Sequence, residues 1–233
     1  MTRIFMLALV VVLAGTVAAV YAAEKKSDAP KATPTASATP TATAGAAATP
    51  AGYTGKPYNG EVNQIPGIIQ AEHYDVAPDN KDGVSFHYKG AAGKGDGRTT
   101  PDCIRTTKFG GGHVNTKGEK EDPNQVYLGW TQDGEWMKYT VHVKEAGTYK
   151  VGGKFASASK NGKISFTFTD AIKTGPLSIP TTDGFQPGVE VYHVWLVSDS
   201  LGEVTLPAGD YVLTATLEVS GGSNMDYFTF TKK

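Results

Sequence analysis

Alternation of apolar and polar side chains is the feature that most constrains how this chain can fold. In the run "WMKYTVHV", the apolar residues Met137, Tyr139, Val141 and Val143 occupy every second position. Side chains of a β-strand point alternately to its two faces, so this spacing buries one face and leaves the other to polar groups. The run therefore predicts a strand on the surface of a core rather than a helix.

The same alternation recurs through the C-terminal part of the chain. Between the runs lie turn signals such as "KEAGTY", "SKNGK", "TTDG", "LPAGDY" and "SGGSN". Many short strands separated by turns predict an all-β fold, an antiparallel sandwich such as a jelly roll. Residues 86–124 are rich in Gly, Lys and Asp without this period and are predicted to be a long loop. The further alternating runs are Tyr149–Phe155, Ile164–Phe168, Val189–Val197, Tyr211–Val219 and Phe228–Phe230.

The N-terminal quarter of the chain has a different composition. Residues 1–22 carry one early arginine and an apolar stretch, which predicts a signal peptide or, as an open alternative, an uncleaved membrane anchor. Residues 23–56 are mostly Ala, Thr, Pro and Ser and contain too little apolar surface to pack, so we expect an extended linker. The globular module is then predicted at 57–233, secreted or held in the periplasm or at the cell surface.

Charge and cysteine content exclude several classes of protein. The formal net charge of −1 comes without a basic stripe, so nucleic acid is not expected as a partner. The single cysteine, Cys103, rules out an intrachain disulfide and a multi-cysteine zinc site. We expect a monomer.

Two acids in "TQDGEW" are the one arrangement that favours catalysis. Asp133 and Glu135 are two residues apart, which on a regular strand would place both carboxylates on one face. The intervening Gly134 favours a turn instead. The motifs G-x-S-x-G and H-E-x-x-H do not occur in the sequence. A jelly-roll glycoside hydrolase or lyase using this pair stays open as an alternative, as does a cell-surface adhesion or scaffolding protein.

Four stretches in order resemble one known family. They are "IIQAEHYD", "VYLGWTQDGEWMKYTVHVKEAGTYKV", "LPAGDYVLTATL" and "GGSNMDYFTF". Together they resemble the family 6 carbohydrate-binding modules, with family 35 as the runner-up, over residues of about 65 to 233. The resemblance implies a jelly-roll sandwich and the non-catalytic binding of polysaccharide or oligosaccharide.

The resemblance also implies a sugar site in the loops at one end of the sandwich. One ring would stack on Trp130, a second aromatic, Phe185, would face it, and Asn224 would hydrogen-bond the sugar. The chemistry suits a pyranose, which has an apolar C–H face and a rim of hydroxyl groups. Phe185 replaces the usual tryptophan of the family. Trp136, inside the following strand, is expected to be structural.

A structural calcium ion is the cofactor that the resemblance implies. Gln70 and Glu72 would hold it from the first strand and Asp226 from the last. Oxygen donors of this kind suit Ca²⁺. The alternative is an ordinary hydrogen-bond network between these two strands. A longer subgroup of the family carries an opening like "DGVSFH", so we also expect His87 or Tyr88 to contact ligand from the loop at residues 86–124.

Overall fold

The structure is a computed structural model that describes residues 52–89, 103–105, 122, 124–157, 159–182 and 193–233. Two short 3-10 turns, Tyr58–Gly60 and Pro78–Asn80, accompany twelve strands. In chain order the strands are β1 (Asn63–Ile65), β2 (Gly67–Gln70), β3 (Phe86–His87), β4 (Cys103–Arg105), β5 (Val126–Leu128), β6 (Trp136–Val143), β7 (Gly147–Ser157), β8 (Lys163–Thr167), β9 (Leu177–Ser178), β10 (Leu196–Leu206), β11 (Gly209–Val219) and β12 (Ser223–Lys232).

The strands form two six-stranded sheets. The β6 sheet has the order β1-β6-β11-β8-β9, and β3 also pairs with β6. The β12 sheet has the order β10-β7-β12-β5-β4, and β2 also pairs with β12. Every pairing in the described residues is antiparallel except that of β1 with β6, which is parallel. The predicted all-β jelly-roll sandwich is thus confirmed.

Aromatic side chains from both sheets fill the core. Phe228 on β12 is fully buried, and its ring centroid lies 5.1 Å from that of Phe166 on β8 and 6.1 Å from that of Tyr139 on β6. The interplanar angles of 76° and 84° are the edge-to-face geometry that aromatic pairs prefer. The apolar residues of the alternating run on β6 are all buried, which confirms the predicted inward face of that strand.

Three strands, β3, β4 and β10, differ from the sequence-based prediction. The segment 86–124, expected as a loop, contains β3 and β4, while most of its other residues lie outside the described part. The run Val189–Val197 also lies largely outside it, and the strand found nearby is β10, Leu196–Leu206. An edge strand with a register shift between Ser198 and Gly202 carries only a weak alternation, which explains why the pattern missed it.

Residues just before the predicted module boundary contact the segment that follows β2, and the Tyr53 ring lies 5.3 Å from the Lys138 ammonium group on β6. Lys56 forms a two-hydrogen-bond bridge with Val76, at 3.0 and 2.7 Å. Tyr53 donates a hydrogen bond of 3.0 Å to the carboxylate of Asp75, which is fully buried. Burial raises the pKa of the Asp75 carboxyl, while hydrogen bonds from Thr140 and Tyr53 oppose that rise. Gly52–Lys56, assigned to the linker from composition, therefore packs on the module.

The described residues contain no helix long and apolar enough to span a membrane. The predicted signal peptide or anchor at 1–22, and the linker up to residue 51, lie outside those residues.

Removing the Tyr53 hydroxyl tests whether this N-terminal segment is part of the folded module. Tyr53→Phe should lower the free energy of unfolding by about 1 to 3 kcal/mol, because a buried carboxylate loses a donor. Tyr211→Phe is the matched control, since its hydroxyl donates to the Pro207 carbonyl at the surface, and it should cost less than about 0.5 kcal/mol. Urea denaturation measures both, and equal effects would show that the segment does not stabilise the fold.

Candidate functional site

Trp130 lies where strand β5 gives way to a loop. It follows the last residue of the strand, Leu128, by two positions, and it is 55% exposed. Leu128 and Gly129 just before it are buried, so the chain leaves the core immediately before the indole. An exposed tryptophan on a loop has a face that can meet a ligand, which agrees with the position expected from the sequence.

The backbone of Trp130 is strained. Its φ of +49° falls in the left-handed region, where the Cβ of a bulky residue approaches the following carbonyl oxygen. Such a conformation costs about 1 to 2 kcal/mol per residue. Strained residues cluster at ligand-contacting sites, and an observed outlier is a reason to infer function.

Hydrogen bonds tie this loop to the turn between β11 and β12. The Thr131 hydroxyl donates to the Ser223 carbonyl at 2.8 Å, and the Ser220 hydroxyl donates to the Thr131 carbonyl at 2.7 Å. The Ser220 amide donates to Asp133 Oδ1 at 2.8 Å. Gly221 has a φ of +60°, and a Cβ there would come within 2.8 Å of the Gly162 backbone. These contacts fix the residues that flank Trp130.

An open polar pocket lies between the two tied segments. Its volume is about 410 Å³. Small and polar residues form its walls, which suits a ligand rich in hydroxyl groups. Ser220 had not been expected as a pocket residue from its place in the sequence, and Asp133 had been considered only as half of a catalytic pair. The lining residues are Thr131, Gln132, Asp133, Ser220, Gly221 and Gly222.

The other residues predicted to contact sugar do not lie together in the described part of the structure. Asn224 lies on β12 next to Ser223, is only 5% exposed and is not among the residues that line the pocket. Phe185 lies outside the described residues. His87 is on β3, beside Trp136, with its Nδ1 3.0 Å from Asp82 Oδ2. Tyr88 donates its amide to the same carboxylate at 2.8 Å.

Glu135 is a structural residue rather than a surface acid. It is 2% exposed, and its two carboxylate oxygens accept backbone amides from Lys89 and Gln132, each at 3.0 Å. Asp133, by contrast, is exposed. The two acids therefore do not present a pair of carboxylates to one substrate, and the geometry does not favour the hydrolase alternative.

Trp136 presents a covered ring on the face of the β6 sheet. The ammonium group of Lys138 lies 4.9 Å from its ring centroid, and the ring of His87 lies 6.0 Å away. Burial lowers the pKa of Lys138, although this cation–π geometry favours its charged form. These neighbours agree with the structural role expected for Trp136.

Of the residues predicted to hold calcium, Gln70 ends β2 and Asp226 lies on β12, whereas Glu72 lies in the turn after β2 rather than on a strand. Gln70 on β2 pairs with Tyr227 on β12, and the Ala71 amide donates to the Asp226 carbonyl at 2.9 Å. The Asp226 side chain is 10% exposed, and the Glu72 side chain is 13% exposed. Two shielded carboxylates and an amide are hard oxygen donors of the kind that Ca²⁺ takes, so the donor chemistry fits.

Asp226 also has protein partners. Its Oδ2 atom lies 2.7 Å from the Lys154 ammonium and accepts a hydrogen bond of 3.1 Å from Gln125. A calcium ion would compete with that ammonium group for the carboxylate. No cluster of three or more His, Cys, Asp or Glu side chains that could hold a metal is found in the described residues.

Comparison with known proteins identifies one matching family. Its sequence profile, described as carbohydrate binding module (family 6), matches residues 107–232, more than half of the 233-residue chain. The chain has no match among curated proteins.

Several solved structures are similar to the chain. One is a carbohydrate binding module from Cellvibrio mixtus lichenase 5A in complex with cellotriose, with 19% identity and a TM-score of 0.43, covering 72% of this chain and 98% of that one. A C-terminal module of a marine laminarinase from Zobellia galactanivorans has 20% identity and a TM-score of 0.44, covering 71% and 98%. A β-1,3-glucan binding module from Bacillus halodurans has 19% and 0.43, covering 73% and 99%. The family assignment rests on the profile match.

Replacing Trp130 by glycine or by alanine tests the strain in its backbone. Both variants lose the indole, but only glycine adopts a positive φ without steric cost. We expect Trp130→Gly to be more stable than Trp130→Ala by about 1 kcal/mol. The same pair at Trp136, the first residue of β6 and paired there with Thr216 of β11, should show the opposite order by about 0.5 to 1 kcal/mol. Denaturation curves that rank both sites alike would rule out strain at Trp130.

Proposed function

Because the chain belongs to family 6 of the carbohydrate-binding modules, we propose that it binds its polysaccharide or oligosaccharide at the pocket beside Trp130. The observation that supports this site above others is the exposed indole, held in a strained backbone next to a polar pocket. A protein that needed only a stable fold would place glycine at that position.

In this proposal, the Trp130 indole stacks on the sugar ring, and the pocket residues hydrogen-bond the sugar hydroxyl groups. The flat face of Trp130 offers an apolar surface to the C–H face of a pyranose. The hydroxyl and amide groups of Thr131, Gln132 and Ser220 line the adjoining space and suit the sugar hydroxyl groups. A few such contacts supply about 4 to 8 kcal/mol, which corresponds to dissociation constants of mM to µM.

We propose that the module binds its glycan without cleaving it. Support comes from Glu135, whose carboxylate is buried and holds two backbone amides, which leaves Asp133 without a second exposed acid from the predicted pair. Glycoside hydrolysis commonly requires two carboxyl groups that flank the scissile bond.

We further propose that the module is exported and tethered. The apolar segment at 1–22 has the length and flanking residues of a signal peptide, or of an anchor, and 23–51 has the composition of an extended spacer. The contacts of Tyr53 with Asp75 and of Lys56 with Val76 support a folded module that begins directly after this spacer. Protease accessibility of intact cells, with and without outer-membrane or wall disruption, tests the location.

Calcium is proposed to join the end of β2 and the turn after it to β12, through Gln70, Glu72 and Asp226. The ion would supply charge neutralisation between shielded carboxylates, and Lys154 serves that purpose for Asp226 in its absence. Bound calcium would stabilise the fold without touching the sugar pocket.

Truncation of Trp130 tests the sugar site. Trp130→Ala should weaken binding to a polysaccharide recognised by the unmodified chain by about 30-fold, because the stacking surface is lost. Isothermal titration gives the affinity, and the polysaccharide should be recovered without new reducing ends.

Trp136→Ala is the matched control for this substitution. Its ring is already covered by Lys138, so the affinity should stay within about threefold of that of the unmodified chain. Full affinity in Trp130→Ala together with a loss in Trp136→Ala would move the sugar site to the face of the β6 sheet.

Calcium binding is tested by unfolding with and without a chelator. Free calcium at about 100 times its dissociation constant should raise the free energy of unfolding by about 2.7 kcal/mol. Glu72→Gln should abolish this gain, whereas Glu203→Gln, at an exposed acid on β10 paired with Lys233, should keep it. Identical unfolding curves in calcium and in chelator would leave the hydrogen-bond network as the whole explanation for these residues.

A further inference from the structure

The sugar pocket contains a fixed negative charge. Among the residues that line it in the described part of the chain, Asp133 is the one with a charged side chain. The other lining side chains are hydroxyls, an amide and two glycines. The electrostatic character of the pocket is therefore set by one carboxylate.

That carboxylate is held in place by the opposite loop. Asp133 Oδ1 accepts the Ser220 amide at 2.8 Å, a hydrogen bond between residues 87 positions apart. Ser220 is itself 4% exposed and donates its hydroxyl to Thr131. Because its partner is anchored, the Asp133 carboxylate keeps its place at the pocket wall while remaining exposed to a ligand.

We propose that Asp133 restricts this site to uncharged glycans and excludes those that carry carboxylate or sulfate groups. This inference rests on the proposed function of the pocket. A sugar hydroxyl can donate to the carboxylate in a charge-assisted hydrogen bond. A uronate or sulfate group has only acceptors to offer and repels the like charge, which weakens binding by about tenfold or more at contact distance.

The nearby Lys89 ammonium group does not neutralise the Asp133 carboxylate in the pocket. The Lys89 ammonium group packs against Gly134, 2.7 Å from the position that a Cβ would take there. Lys89 is exposed and does not line the pocket. A ligand inside the pocket therefore meets the carboxylate first.

The test compares each neutral polysaccharide with its own oxidised form. The probes are laminarin, hydroxyethyl cellulose, pullulan and galactomannan, together with the same polymers after oxidation of their C6 hydroxymethyl groups to carboxylates. The full chain should bind at least one neutral polymer, and its affinity for the oxidised form of that polymer should be at least about tenfold lower. In Asp133→Asn, which keeps an oxygen acceptor for the Ser220 amide, the ratio of the two affinities should fall to within about threefold of unity.

Asp170→Asn controls for the change in net charge. Asp170 is exposed in the turn after β8, whereas the other end of that strand pairs with Val219 beside the pocket. This variant should keep the tenfold ratio. Equal binding of neutral and oxidised polymers by the unmodified chain, or a tenfold ratio that persists in Asp133→Asn, would overturn the inference while leaving carbohydrate binding intact. A chain that binds none of the eight polymers would overturn the proposed function and this inference with it.

Discussion

The contact of Phe228 with rings from both sheets is the interaction on which the rest of the structure depends. It places β12 against β6 and β8, with Tyr139 and Phe166 at edge-to-face distances. The loops that follow β5 and β11 leave this core at the same end, because β5 runs antiparallel to β12 and its last residue, Leu128, pairs with Met225 near the start of β12, directly after the β11–β12 turn. A ligand site made from these loops is therefore only as rigid as the core beneath it.

The loops add a second level of organisation through hydrogen bonds. Thr131, Asp133 and Ser220 bridge segments that are far apart in the chain, and the bridge fixes the backbone around Trp130. Strain at a bulky residue persists only when its surroundings over-determine the conformation. The buried Glu135 helps to hold this conformation, because its carboxylate accepts hydrogen bonds from two backbone amides. One short loop thus contains both a residue that stabilises the fold, Glu135, and the residue proposed to contact the ligand, Trp130.

The alternation in the sequence was enough to predict the sandwich and the inward faces of its central strands. It also placed Trp130 at the end of a strand, because the buried Leu128 is followed by a glycine and a polar run. The cross-loop bonds of Ser220 could not be predicted, since hydrogen bonds between distant loops leave no periodic trace. The contact of Tyr53 with the buried Asp75 could not be predicted, because the Ala/Thr/Pro-rich composition before it indicates a linker. Site assignments for Asn224, His87 and Tyr88 stay predictions, as does Phe185 outside the described residues.

The most direct test of the central claim uses the indole N–H signals of the three tryptophans, Trp130, Trp136 and Trp195. Each gives one resonance in a proton–nitrogen correlation spectrum, and Trp130→Gly assigns the first. On titration with an oligosaccharide, the account predicts that the Trp130 signal moves in step with saturation, while the signals of Trp136, beneath Lys138, and Trp195, beneath Lys154, stay in place. Movement confined to Trp136 or Trp195, with Trp130 unchanged at saturation, would contradict it.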